Sequence, residues 1–504
     1  MKRNVLEYLE ADVLLHSEKI AVEDEQNCLR YDELLDISRR IGSGLAAVSG
    51  MRMPIAVMAE KSAFTEAVFL GIVQAGCYYV LLNPELPAVR LCQIQEVLNA
   101  EWLITDAEHY EKALALMPAE KILLMEDLIR TPVNPEVLTG IRSRMVDTDP
   151  LYANFTSGST GVPKGVLVSH RSVLDFIDCF SELFGIGAED IIGNQAPFDF
   201  DVSVKDIYTA LKTGAKLVII PRHLFSVPAK LLDYICERNV TTMIWAVSAL
   251  CLISTFHGLD YRVPTSVRCI LFSGETMPQK ALDTWMSHLP ETEFVNLYGP
   301  TEITCNCTYH RIDRNRDYAD GIPIGTAFPN EEVFLMDEEG KQVVMPGKTG
   351  EICVRGSALA LGYLNNPEQT ARAFVQNPLN QNYPDRIYRT GDLAFYTPEQ
   401  ELMFCGRKDF QIKYMGHRIE IEEIERSVSH LDGVERCCVV FDEKKQRLYG
   451  FYMGTMDRKE MHAKLKTVLP VYMIPGAFYM VSAFPLTKNG KVDRKALMEM
   501  RKKR

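Results

Sequence analysis

At 504 residues the chain exceeds what a single ordinary core organises, so about two to four domains are expected. A hydrophobic content of 47% and a charged content of 24% are those of a globular enzyme rather than a disordered or fibrous chain. The formal net charge of −12 argues against non-specific binding to nucleic acid.

The start, Met1-Lys2-Arg3-Asn4-Val5-Leu6-Glu7, has two cations followed by acidic residues and lacks the apolar segment of a secretory signal. No run approaches the roughly 18 apolar residues that cross a bilayer, so a cytoplasmic protein without membrane insertion is expected. The 13 cysteines are scattered. Cys305-Asn306-Cys307 and Cys437-Cys438 are the only close ones, without metal-site spacing, and reduced thiols are expected.

A helical pattern covers Tyr31 to Ala47, and helical stretches then alternate with short β-rich runs. Among these runs are Lys216 to Ile220, Cys269 to Phe272 and Glu293 to Leu297. The alternation predicts an α/β fold, a large N-terminal domain of helix-covered β-sheets over 1–405. Short strands and turns near Gly350 to Gly356 predict a small β-rich subdomain at about 310–405. Beyond Gly406-Arg407-Lys408-Asp409 come a helix (Glu420 to Leu431), strands (Cys437 to Phe441, Leu448 to Met453) and a second helix (Arg458 to Leu469). They predict a small α+β C-terminal domain over 406–504.

The densest chemistry is Thr156-Ser157-Gly158-Ser159-Thr160-Gly161-Val162-Pro163-Lys164-Gly165, behind the apolar approach Leu151 to Phe155. Glycines let backbone approach a ligand, successive N–H groups form an anion nest, and hydroxyls and a lysine suit phosphate. Lys164 is followed by Gly165 rather than Ser or Thr, so this polyphosphate loop is not the common P-loop. Further along, Asn296-Leu297-Tyr298-Gly299-Pro300-Thr301-Glu302 carries an aromatic for a purine and a carboxylate for Mg²⁺ and phosphate. Tyr388 to Leu393 offers Asp392 for ribose hydroxyls. Pro485-Leu486-Thr487-Lys488-Asn489-Gly490-Lys491 places lysines on a turn, where Lys488 reads as solvated.

In this order, and with Leu29 to Leu34, Ala75 to Val80, Gly350-Glu351, Gly362-Tyr363 and Leu469 to Pro475, the motifs closely resemble the adenylate-forming superfamily along nearly the whole chain. The resemblance implies a two-step ligase that uses ATP and Mg²⁺, forming an acyl-adenylate and then passing the acyl group to a thiol. Thr156 to Lys164, including Ser159 and Thr160, would cradle phosphates. Asn296, Tyr298, Gly299 and Thr301 would frame the nucleotide, with Tyr298 on adenine. Glu302 would hold Mg²⁺, Asp392 and Arg407 the ribose. Lys491 would bridge the substrate carboxylate and the α-phosphate. Asp409 matches the hinge of a mobile C-terminal domain whose swing brings in Lys413 to Gly416.

Phe200-Asp201-Val202-Ser203 resembles amino-acid activators, in which the aspartate pairs with the substrate's α-ammonium. The pocket would be lined by Val202, Lys205, Leu271, Ser273, Leu297, Cys305, Asn306 and one residue near Trp245 to Val247. Lys205 is expected either to meet an acidic side chain or to snorkel to the surface. Chain size and the Asp201 region resemble the D-alanine–[D-alanyl carrier protein] ligases, which implies D-alanine as the leading substrate and a phosphopantetheinylated carrier protein as partner. That group has a cysteine in place of Ser273 and a small apolar residue in place of Lys205. Serine or an acidic amino acid, activated by a stand-alone enzyme of peptide-synthetase type, is the next reading. An acyl- or aryl-CoA ligase and a catalytically silent nucleotide-binding relative are the alternatives.

Overall fold

The computed structural model describes residues 2–158, 161–443, 445–486 and 492–502. The chain divides into two compact units: 1–84, 98–154 and 165–408 form one, and 85–97, 155–164 and 409–504 the other. The first is α/β and the second α+β, as the alternation of patterns predicts.

The first unit is built on a nine-stranded sheet. Its spatial order is Thr326–Ala327, Thr308–Arg311, Glu293–Tyr298, Cys269–Ser273, Thr242–Ala246, Ile191–Asn194, Lys216–Ile219, Ile20–Glu23 and Cys28–Arg30. The six strands from Glu293–Tyr298 through Ile20–Glu23 are mutually parallel. A parallel sheet is covered on both faces, so its strands are apolar on both sides. Leu271, Val295 and Leu297 enter one core, and Trp245, Ile270 and Phe272 enter a second. After Ile191–Asn194 the chain pairs Lys216–Ile219 on one side and Thr242–Ala246 on the other. That reversal is a topological switch point, where open α/β sheets hold ligands beyond the carboxyl ends of their strands.

A seven-stranded sheet carries the strands Pro54–Met58, Tyr78–Leu81, Pro150–Thr156 and Lys164–Ser169 among its members. A six-stranded antiparallel sheet spans Glu331–Met336 to Leu402–Arg407. The strands Thr308–Arg311 and Thr326–Ala327 belong to the edge of the nine-stranded sheet instead.

In the second unit the hairpin Gln411–Tyr414 with His417–Glu420 leads into the helix Ile421–Ser429. A three-stranded sheet of Val434–Asp442, Arg447–Gly454 and Ala477–Met480 follows, with the helix Arg458–Leu465 before its last strand. Ile419, Ile424, Val439 and Leu448 share its core. Among the described residues no helix is long and apolar enough to cross a membrane.

Candidate active site

The residues expected to surround an amino acid near Asp201 all belong to the first unit, several of them on or just after its parallel strands. Asp201 stands at the N-terminal end of the helix Val202–Thr213, yet its carboxylate makes no capping hydrogen bond there. A simple N-cap role is thereby excluded. Its backbone oxygen accepts from Val204 N at 3.1 Å and from the Cys305 thiol at 3.1 Å. Burial, then the charge of Asp201, pushes the Cys305 thiol well above its ordinary range, so it stays protonated and donates.

Lys205, one turn along that helix, is 0% exposed and donates from Nζ to Asn306 Oδ1 at 2.7 Å. The structure therefore decides between its two expected placements: Lys205 does not snorkel. Leu271, Ser273, Leu297, Cys305 and Asn306 are buried, and Val202 is half-buried. Strand register shows which faces the residues near Trp245 to Val247 take. Trp245 pairs with Phe272 and Ala246 with Ser273. Trp245 packs in the second core with its indole N–H on Gly193 O at 2.8 Å. Ala246 takes the face of Ser273. The motif spacing could not separate these neighbours because alternation in a strand fixes facing only once the register is known.

The wall at 304–306 is conformationally unusual. Thr304 and Cys305 have φ of 50° and 75°, a left-handed backbone that costs non-glycine residues energy. Thr304 Oγ1 donates to Ala358 O at 2.6 Å and Cys307 N to Tyr298 O at 2.8 Å, which hold the turn. Gly299 leaves the room it needs: a Cβ there would lie 2.4 Å from Asn306 Cα.

Several residues expected to contact the nucleotide also belong to the first unit. The Tyr298 hydroxyl donates to Asp392 Oδ2, and Arg407 Nη1 donates to Asp392 Oδ1. The Tyr298–Asp392 bond joins the nine-stranded and six-stranded sheets, and Asp392 and Arg407 are register partners on adjacent strands of the latter. Asn296 donates from Nδ2 to Pro323 O at 2.8 Å, so its amide fixes the local chain. Thr301 and Glu302 lie in the short 3₁₀ turn Thr301–Ile303. Glu302 is buried, with Oε1 accepting from the Tyr363 hydroxyl at 2.7 Å. Among the described residues no group of three or more His, Cys, Asp or Glu side chains is arranged to hold a metal by itself. A single buried carboxylate suits Mg²⁺ that takes its remaining ligands from substrate phosphates and water.

The glycine-rich loop belongs to the second unit. Thr156 ends one strand and Lys164, buried, begins the next. Thr156 Oγ1 is buried without a hydrogen-bond partner among the described residues, the kind of donor a phosphate oxygen satisfies. Ser157 instead donates its hydroxyl to Arg418 O at 2.6 Å. Gly158 O accepts from Gly161 N at 2.8 Å, and Gly161 has φ of 83°. Ser159, Thr160, Lys488 and Lys491 lie outside the described residues. Asp409 is exposed, with Oδ1 accepting from Gln411 N at 3.2 Å, at the first residue of the segment that follows the division of the chain.

Comparison with known proteins agrees with this chemistry. A family profile described as AMP-binding enzyme matches residues 9–364, and one described as AMP-binding enzyme C-terminal domain matches 423–491. The chain is 32% identical over 511 residues to zwittermicin A synthase ZmaJ of Bacillus cereus, covering 99% of this chain and 95% of that protein. It is 31% identical over 515 residues to the D-alanine–D-alanyl carrier protein ligase of Lacticaseibacillus casei, covering 98% of each. Against bacitracin synthase 1 of Bacillus licheniformis it is 34% identical over 454 residues, 88% of this chain, but spans only 8% of that relative's length. The crystal structure of IdnL1 superposes with a TM-score of 0.83 at 28% identity, over 96% of this chain and 98% of that one.

Proposed function

The chain belongs to the AMP-binding enzyme family, and from that premise we propose that this AMP-forming ligase activates an amino acid and loads it on a carrier protein. In the first step a carboxylate oxygen attacks the α-phosphorus of ATP, the bond to the β-phosphate breaks, and pyrophosphate leaves. In the second, the phosphopantetheine sulfur attacks the acyl carbon and AMP departs with the carboxyl oxygen. Charge spreads over phosphate oxygens in the first transition state, so groups placed in advance lower its barrier. Lys164, Thr156 and Thr301 are assigned to the phosphates, Glu302 to Mg²⁺, and Tyr298, Asp392 and Arg407 to adenosine. Lys491 is assigned to the reacting carboxylate. The division of the chain between Lys408 and Asp409 supports Asp409 as the pivot between the two steps.

The observation that carries the substrate reading is the interior ammonium of Lys205 beside Asn306. With Asp201 reserved for the α-ammonium, an ammonium and a carboxamide in the pocket favour a substrate side chain that brings oxygen acceptors. Serine and the acidic amino acids do so. D-alanine, the substrate in the name of the Lacticaseibacillus relative, brings only a methyl group. We therefore rank serine, aspartate and glutamate ahead of it.

ATP–pyrophosphate exchange with both enantiomers of alanine and serine, with aspartate and glutamate, and with short fatty acids tests the reading. A strongest signal from a side chain bearing oxygen is expected. Exchange driven by D-alanine alone would overturn the pocket assignment, and exchange driven only by fatty acids would overturn amino-acid activation itself.

A further inference from the structure

Lys61 has no place in the motifs above, yet it sits where the nine-stranded sheet reverses its strand order. It follows Pro54–Met58, a strand of the seven-stranded sheet, and reaches the carboxyl end of Ile191–Asn194. There Nζ lies 3.0 Å from Asn194 Oδ1, 3.0 Å from Gln195 O, 3.4 Å from Asn194 O and 3.5 Å from Ala196 O. Three consecutive carbonyl oxygens converging on one ammonium mean that the backbone wraps around the cation as it leaves the sheet. Five residues later that backbone delivers Asp201.

The other side of Asn194 is also tied. Its Nδ2 donates to Asp206 Oδ2 at 2.6 Å, and Asp206 is fully buried on the helix that carries Lys205. Gln195 Oε1 accepts from Ala246 N at 3.2 Å, which fastens the same segment to the neighbouring strand Thr242–Ala246. One cation thus reaches, through Asn194 and Gln195, the strand end, the pocket helix and that neighbouring strand. Burial works against both charged ends. It pushes the Lys61 ammonium down to about 7, with Asp206 opposing and Arg222 reinforcing. It raises the Asp206 carboxyl to about 7, against the Asn194 hydrogen bond and the Lys205 and Lys61 charges. A desolvated pair of this kind is weak support for stability and is better accounted for by geometry that it fixes.

We propose that Lys61, acting through Asn194 and Asp206, is a positioning residue that sets the 194–201 segment and with it the reach of Asp201 toward the substrate's α-ammonium. This rests on the amino-acid reading of the site. Removing the cation leaves the chemistry intact but displaces a substrate-binding group, and displacements near 1 Å cost about 100-fold.

The test compares Lys61→Met, Lys61→Arg and Asp206→Asn by pyrophosphate exchange, with hydrogen exchange read over 195–201. For Lys61→Met, KM for the amino acid is expected to rise about 10–100-fold, with kcat and KM for ATP within about 3-fold. Lys61→Arg should restore most of the affinity, because it keeps the cation. Asp206→Asn keeps the acceptor oxygen but not the charge, and should give an intermediate rise if Lys61→Met fails to fold. Faster hydrogen exchange confined to 195–201 in Lys61→Met is expected whatever the substrate proves to be. Unchanged protection there, or equal losses for ATP and the amino acid, would overturn the positioning role. Wild-type exchange with no amino acid would instead defeat the functional reading while the hydrogen-exchange result still decides this one.

Discussion

A carboxylate at the start of a helix ordinarily caps it, and a lysine on a helix ordinarily reaches water. Asp201 and Lys205 do neither. Asp201 is half-buried and Lys205 fully buried, which fits their proposed roles toward the ammonium and the side chain of an amino-acid substrate. Lys205→Met is accordingly expected to lower kcat/KM for the preferred oxygen-bearing amino acid by about 10–200-fold, the range in which one pocket contact discriminates. Activity toward alanine should hold or improve. Competition between serine and alanine in the exchange assay measures it, and an unchanged ratio would place Lys205 outside the recognition of the side chain. Sequence alone left Lys205 between pocket and surface because helical spacing says which face a residue takes, not whether an ammonium on that face is enclosed. Lys61 was less visible still. Its partners stand 133 to 145 positions away, and nothing in the local pattern Glu60-Lys61-Ser62 marks it.

At the scale of elements, the Thr156 and Thr301 motifs were legible because each begins where a strand ends, Pro150–Thr156 and Glu293–Tyr298, whereas Asp392 lies within the strand Arg386–Tyr396. What was not legible is facing. Trp245 and Ala246 are adjacent in sequence, and only pairing with Phe272 and Ser273 sends one to the second core and the other to the face of Ser273. Gly299 shows how tightly strand end and pocket wall are fitted. Its Cβ position lies 2.4 Å from Asn306 Cα and 2.8 Å from Cys305 O, backbone atoms that cannot rotate away. Gly299→Ala should cost about 1–3 kcal/mol, the usual range for overpacking. It should also raise KM for the amino acid, since residues 305 and 306 must move. A urea titration paired with the exchange assay checks both, and a shift in stability alone would separate the turn from the pocket.

For the whole molecule, buried ionisable groups make stability depend on pH. Glu66 is buried, its Oε2 has no hydrogen-bond partner among the described residues, and burial raises its carboxyl to about 8. In the unfolded chain it titrates near 4.3. Between those values the folded protein keeps a proton that the unfolded chain releases, so stability is full below about pH 4 and declines as pH rises toward 8. The slope is at most about 1.4 kcal/mol per pH unit for one group. Glu331, also raised to about 8, adds to it. Glu66→Gln should flatten the fall in urea midpoint between pH 5 and 8 without abolishing it, and parallel curves for the two proteins would contradict the assignment. The two-unit plan carries a different consequence, one of timing. The second unit joins Arg90 to Glu423 and Ser157 to Arg418, pairs 333 and 261 residues apart. At about 5–20 residues per second, a ribosome makes the earlier partner on the order of half a minute before the later one exists. Through that interval the nascent chain carries two segments, 85–97 and 155–164, that wait for the last hundred or so residues to arrive.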